Sequence, residues 1–395
     1  MEPFKKYWHE TRASREAQSL PSPRHDLLGT RVSDSSVLEP QWKNMLRADE
    51  VPWLRDHRVQ ELTVFPMAAY LCMGMEACRQ QASWRDANYD RILFREISVH
   101  QALSIPESTP VELRLSLAPY AEGPRMSSDK WSEFKIYSWT NDRDWLKHCR
   151  GLVASEHSKE QNNPVNSVAK AQHRSKGSVD DLDPFKNTCS NPADAASIYS
   201  MVAEAGFDYG PTFRHMEDVI MGPSVVRYKA TVPDSAALMP CCHESVYIIH
   251  PITLDVIFQS VWPLIINGRD SLNVPYMPIA IREMTVSTTL TVTPGAAHQV
   301  IAQMEEADKF SKKLSINIDT FDMQNSLGTP DVVIRGLIMA RYKIPSQERM
   351  TKKLDVSRHS GHHAFHTLTS VTIVHSSRYL RPVHTLSTSY GHSSD

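Results

Sequence analysis

The sequence predicts an α+β fold made of two similar units, each an antiparallel sheet wrapped around a buried, proline-started helix. Three observations carry that expectation. Apolar segments with one ionisable residue beside them recur about two hundred residues apart, PWLRDHRVQELTVFPMAAYLCMGMEA at 52–77 and HPITLDVIFQSVW at 250–262. Each is accompanied by strand-length, partly alternating segments bounded by Pro, Gly, Ser and Asp. Between the two sets, residues 156–192 lose apolar periodicity and gain Ser, Asn, Lys and Pro, as an exposed linker would.

Taken in order, residues 1–24 are polar and irregular and read as a leader or linker. The first unit, 25–155, is centred on a helix at 66–82. Pro66 suits the first helical position because its missing N–H has no intrahelical acceptor there anyway. Met67, Ala68, Tyr70, Leu71, Met73, Met75, Ala77 and Cys78 leave no polar face over the first three turns, so the helix must be enclosed on most sides. The wrapping strands are expected at 91–99, 111–119, 132–139 and 145–155. The second unit, 193–345, repeats the plan: an opening segment AASIYSMVAEAG, strands near 217–232, a helix at 251–266, and strands at 281–290, 298–305, 312–321 and 331–344. Residues 346–395 are rich in Ser, Thr and His and nearly devoid of acids, the composition of a disordered tail.

Bulk properties narrow the function. The 395 residues, 41% hydrophobic and 22% charged, suffice for a sizeable core. A formal net charge of −2 offers no basic footprint for nucleic acid, which leaves a small molecule or a protein as partner. The charged N-terminus lacks the apolar core of a secretory signal, and no apolar run approaches the roughly 18–20 residues of a membrane span, so a cytoplasmic protein is expected. Six cysteines in so long a chain read as reduced thiols, and Cys241-Cys242-His243 lacks metal-ligand spacing, so no metal is expected. No GxGxxG, Walker-type loop, GxSxG or HExxH occurs. Cofactor-free acid/base chemistry survives this filter.

Two groups suit such chemistry. Removing water from a β-hydroxyacyl thioester requires a base for the α-proton and an acid for the departing hydroxyl. His57 fits the base, and Asp255 fits the acid if burial keeps its carboxyl protonated. Gln259 lies one helical turn beyond Asp255 and can orient the carboxyl or the hydroxyl. The helix start at Met67 and Ala68 offers backbone N–H groups to a developing oxyanion. Each residue also has a plainer reading: His57 as a surface histidine, Asp255 as a helix N-terminal acid, and Tyr209-Gly210-Pro211 with Phe213 as a turn that packs an aromatic under the sheet.

Through YWHETR, HDLLGTRV, EPQWKNMLRADEVPWLRDHRV, VFPMAAYLCMGMEACRQ, YGPTF, HPITLDVIFQS and VPYMPIAIREM, the chain resembles the dehydratase domain of fungal highly reducing iterative polyketide synthases over roughly residues 7–345. The resemblance implies a double hot-dog fold, with His57 and Asp255 catalytic, Gln259 supporting, and Tyr209, Gly210 and Pro211 bordering the substrate tunnel. It further implies a substrate carried on a phosphopantetheine arm by an acyl carrier protein or synthase, and pairing as a homodimer. Two positions depart from the family pattern: Glu61 replaces the glycine of HxxxGxxxxP, and FPMAAY stands for FPxAGY. Cyclisation or isomerisation by the same pair, or an inactive synthase fragment, are the other readings this chain leaves open.

Overall fold

The computed structural model describes residues 10–139, 144–157, 188–267, 276–305, 313–324 and 328–341. The expected tail at 346–395 and most of the linker at 156–192 lie outside them. The N-terminal segment is more ordered than its composition implies. Helix α1 (Arg12–Gln18) is capped by Thr11, whose hydroxyl accepts the Ser14 N–H, and an Arg12–Glu16 ion pair spans one turn.

The first unit is a sheet laid around helix α2 (Met67–Trp84). Pro66 proves to be the N-cap rather than the first helical residue: its ψ of 150° is extended, and the helix begins at Met67. Every residue from Met67 to Cys78 is buried, as the absence of a polar face requires. Gly74 lets the helix sit close to the sheet, because a Cβ there would lie 3.2 Å from the Phe94 ring. The one acid in this stretch, Glu76, is satisfied internally by Arg79 at 2.6 and 2.8 Å and by the Gln80 amide at 2.7 Å, while Gln80 accepts the Trp42 indole N–H at 2.8 Å.

Strands β1 (Thr30–Arg31), β2 (Gln41–Leu46), β5 (Arg91–Val99), β6 (Val111–Gly123), β7 (Met126–Trp139) and β8 (Trp145–Glu156) supply the N-terminal part of the sheet, and β3 (His57–Val59) with β4 (Leu62–Thr63) form a small separate ribbon. Alternation does its expected work: Leu113, Leu115 and Leu117 on β6 are buried, with Leu115 beside Ile136 and Leu117 beside Phe134 on the neighbouring β7.

The second unit begins with β9 (Asn191–Ala193) and helix α3 (Ala195–Glu204), whose N-cap Asp194 accepts the Ala196 and Ser197 N–H groups. After β10 (Phe207–Tyr209), β11 (Met216–Met221) and β12 (Val225–Thr231), the central helix appears as two pieces, α4 (Pro251–Phe258) and α5 (Val261–Ile266), where sequence periodicity predicts one helix over 251–266. Pro263 explains the break: it has no N–H for the Gln259 carbonyl four residues earlier, and the Trp262 N–H takes that carbonyl at 2.9 Å instead. The last carbonyls of α4 are also engaged, the Tyr228 hydroxyl lying 2.6 and 3.0 Å from those of Val256 and Ile257. β13 (Tyr276–Ser287), β14 (Ala297–Met304), β15 (Lys313–Asp322) and β16 (Val332–Arg341) complete the unit.

The two sheets are one. The strand order is β1-β2-β6-β7-β8-β5-β13-β16-β15-β14-β12-β11-β9, so β5 of the first unit pairs antiparallel with β13 of the second, Phe94 opposite Met284. The result is the double hot-dog fold, thirteen strands bent around two helices. A second join crosses the units on the helix side, where β10 pairs antiparallel with β3 and sets Tyr209 opposite His57.

Candidate active site

His57 opens β3 directly after the 3-10 turn Pro52–Asp56 and is 8% exposed, which removes the surface reading. Its Nδ1 lies 2.7 Å from the Val64 carbonyl oxygen. A carbonyl can only accept, so Nδ1 carries a proton, and the lone pair of the neutral form is the one on Nε2. Nε2 faces Asp255 Oδ1 at 3.9 Å. The edge of Tyr209 (5.6 Å between centroids) and the tilted ring of Phe213 (5.4 Å) fix the imidazole plane.

Asp255 is 6% exposed near the middle of α4. Burial pushes its carboxyl above the usual carboxylate range, opposed by the facing His57 and by the Gln259 amide. The N-terminal position is instead filled by His250, whose Nδ1 accepts the Ile252 N–H at 3.2 Å, so Asp255 is not the helix cap. Gln259 donates to Asp255 Oδ2 at 3.2 Å and to the Phe213 carbonyl at 3.1 Å, and accepts from the Tyr199 hydroxyl at 2.9 Å. Three partners hold the amide in a single orientation. As the C-cap of α4, still helical with its N–H on the Asp255 carbonyl at 2.9 Å, it stands one turn beyond Asp255 on the same face.

The cleft these groups share is narrow, about 50 Å³, and mostly apolar, with Val64, Phe65 and Met67 on one side and Phe258, Trp262 and Met277 on the other. Both units therefore contribute walls as well as polar groups. Met67 lines the cleft, whereas Ala68, wholly buried, does not border it. Tyr209 also lines it, its hydroxyl accepting the Trp262 indole N–H at 3.2 Å. Gly210 and Pro211 stand outside the lining. Gly210 serves the turn instead: its N–H donates to the Asp56 carbonyl at 2.7 Å, and a Cβ there would fall 2.3 Å from Asp56 Cγ. The turn reading and the cleft reading of Tyr209-Gly210-Pro211 thus divide along the motif.

Glu61 sits in the two-residue turn between β3 and β4 with φ of 67°, after Gln60 at 50°. This is the left-handed region in which glycine is free and a side chain is strained. The departure from glycine alters the turn; Glu61 is not among the residues lining the cleft.

Sequence reasoning missed Asp56, Tyr199 and Trp262, which act through hydrogen bonds between segments far apart in the chain. The DHR and AASIYSM segments hold nothing that separates a partner-holding side chain from an ordinary surface or packing residue. His148 stands apart in the sheet, 2.7 Å from Ser138 Oγ and 3.0 Å from the Gln101 carbonyl, with burial lowering it to about 4. Among the described residues no cluster of His, Cys, Asp or Glu has the arrangement of a metal site, and no helix is long and apolar enough to cross a membrane.

Comparison with known proteins places this geometry. A family profile described as the polyketide synthase dehydratase N-terminal domain matches residues 179–341, and one described as the polyketide synthase dehydratase domain matches 25–139. The chain is 36% identical over 287 residues to highly-reducing polyketide synthase 1 of Aureobasidium melanogenum, covering 71% of this chain and 13% of that protein. It is 34% identical over 328 residues to reducing polyketide synthase PKS1 of Cochliobolus heterostrophus, covering 82% of this chain and 13% of that protein. The chain thus spans about an eighth of the length of these relatives. Among solved structures, the dehydratase domain from the CurF module of curacin polyketide synthase superposes with a TM-score of 0.62 at 19% identity, covering 81% of this chain and 100% of that domain. The dehydratase domain of RzxB from Pseudomonas fluorescens gives 0.59 at 18%, covering 80% and 98%.

Proposed function

The chain belongs to the polyketide synthase dehydratase family, and from that premise we propose that it removes water from a carrier-bound β-hydroxyacyl thioester, with His57 as base and Asp255 as acid. The observation that carries the reading is His57 Nε2 facing Asp255 Oδ1 at 3.9 Å inside an apolar cleft, one group from each unit. With its Nδ1 proton held by the Val64 carbonyl, the neutral imidazole presents the Nε2 lone pair to the α-proton. Asp255, whose carboxyl burial makes a weaker acid than usual, is the group placed to give a proton to the β-hydroxyl as it leaves as water. The two groups are near enough to serve adjacent carbons of one substrate. Negative charge developing on the thioester oxygen falls to the start of α2 at Met67, which lines the cleft, whereas the expected contribution of Ala68 drops out because that residue does not border it. Gln259 holds the carboxyl in place.

The chemistry needs no metal or redox cofactor. The substrate arrives on a phosphopantetheine arm, presented in the cytoplasm by an acyl carrier protein or a synthase to a protein that pairs as a homodimer. Each relative above is a polyketide synthase, which supports that setting. The roles given to His57 and Asp255 accord with inactive mutants of the CurK dehydratase domain, one with a histidine replaced by phenylalanine and one with an aspartate replaced by asparagine.

The test is incubation of the protein with a carrier-bound β-hydroxyacyl thioester, followed by mass spectrometry of the acyl arm. Loss of one water is the expected result. An unchanged mass with a changed retention time overturns dehydration in favour of isomerisation or cyclisation.

A further inference from the structure

Resting on the reading of His57 and Asp255 as the reacting pair, we propose that Asp56 is a positioning residue that locks the second unit onto the base and couples the two halves of the site. Asp56 lies immediately before His57, yet its hydrogen bonds reach across the unit boundary. Its Oδ2 accepts the Thr212 N–H at 3.0 Å and the Thr212 hydroxyl, and its carbonyl accepts the Gly210 N–H at 2.7 Å. Gly210 is the residue type this approach demands, since any Cβ would overlap the Asp56 carboxyl.

The turn so held ends at Phe213, and Phe213 touches His57 directly and reaches Asp255 through Gln259. Its ring packs on His57 with centroids 5.4 Å apart. Its carbonyl accepts from Gln259 Nε2 at 3.1 Å and from the Tyr199 hydroxyl at 3.3 Å, and Gln259 in turn holds Asp255. One carboxylate therefore fixes, through the four-residue turn Gly210–Phe213, the base beside it and the amide that orients the acid. A second reciprocal contact between the units serves as an internal control. Asp26 Oδ2 accepts the Ser245 N–H at 2.7 Å, and Ser245 Oγ accepts the Asp26 N–H at 3.0 Å, outside the cleft lining.

Loss of the latch acts on geometry rather than on binding. Asp56→Ala is expected to lower kcat about 10–100-fold, the scale of an ångström-sized misplacement, with KM within about twofold. Asp56→Asn, whose amide oxygen can take the place of Oδ2 and accept both Thr212 donors, restores most of the rate, and Ser245→Ala leaves kcat unchanged. Wild-type kcat in Asp56→Ala, or equal losses in Asp56→Ala and Ser245→Ala, overturns the proposal. If Asp56→Ala does not fold, Thr212→Val, which removes only the hydroxyl donor, carries the test: a fall of about threefold to tenfold supports the latch and no change overturns it. Imidazole NMR signals separate this proposal from the reaction itself. Asp56→Ala should displace the His57 resonances and leave those of His148 in place, whether or not the unaltered protein turns over a hydroxyacyl thioester. Undisplaced His57 resonances sink the latch, and absence of water loss sinks only the dehydration reading.

Discussion

The central helices of the two units differ in continuity and in what they contribute. Met67–Trp84 runs 18 residues without a break, and its buried acid, Glu76, is spent on Arg79 and Gln80 far from the cleft. Its counterpart stops after eight residues at Phe258, resumes for six from Val261, and carries both Asp255 and Gln259. In the first unit the ionisable group of the cleft lies before the helix, on a three-residue strand closed by a left-handed turn; in the second it lies on the helix itself. The same fold thus offers two kinds of support: a rigid interior helix for a carboxyl that must be desolvated, and a short ribbon for an imidazole that must keep one nitrogen free. The polar groups meet only because β3 pairs with β10 and β5 with β13.

The comparison breaks most sharply if either group is dispensable. His57→Ala and Asp255→Ala are each expected to reduce the dehydration rate by about 10²–10⁴, read as product formed per unit time under saturating carrier-bound substrate. A rate near wild type in the helix variant would leave the base alone responsible.

Gln259→Leu sharpens the account of the broken helix. It takes a donor from the Asp255 carboxyl, while the Tyr199 hydroxyl and the Phe213 carbonyl keep each other at 3.3 Å; at about 1–3 kcal/mol for a buried group left unpaired, the rate should fall about tenfold and thermal stability with it. The amide N–H favours the ionised carboxyl, so its loss pushes the Asp255 pKa further up. With Asp255 as the proposed acid, the alkaline limb of the rate profile should move to higher pH, checked by kcat across pH in both proteins.

A smaller effect concerns stability. The folded carboxyl of Asp255 holds its proton to higher pH than the unfolded one, so stability declines as pH rises from the ordinary carboxylate range through the raised value. Asp255→Asn removes that loss. Its melting midpoint should exceed that of the unaltered protein at neutral pH and match it at acidic pH; a gain that persists at acidic pH would contradict burial as the cause.

Much of this architecture is legible in the chain because it rests on local patterns. Leu113, Leu115 and Leu117 alternate, Met67 to Cys78 show no polar face, and a histidine and an aspartate stand beside the two apolar segments. The seam between β5 and β13 is not legible, since alternation identifies a strand but not its neighbour. Neither is Asp56, whose partners lie more than 150 positions away. The break after α4 was written in Pro263, yet continuous apolar character over 251–266 masks it until the freed Gln259 carbonyl is followed to the Trp262 N–H.

The smallest expected effect isolates the ribbon. Glu61→Gly relieves a left-handed conformation costing about 1–2 kcal/mol while adding about 0.5–1 kcal/mol of chain entropy to be lost on folding, for a net gain of about 0.5 kcal/mol. Denaturant melts resolve a change of that size in the midpoint, and a loss of stability would place the strain elsewhere.

The most direct test of one site assembled from two units is the rate of the His57→Ala, Asp255→Ala double variant beside each single variant, under single-turnover conditions with the carrier-bound hydroxyacyl thioester. Groups acting on one substrate in one transition state lose their effect together, so the double variant should be no slower than the slower single one. Losses that multiply would contradict the account, because they would mean that the histidine and the aspartate act independently.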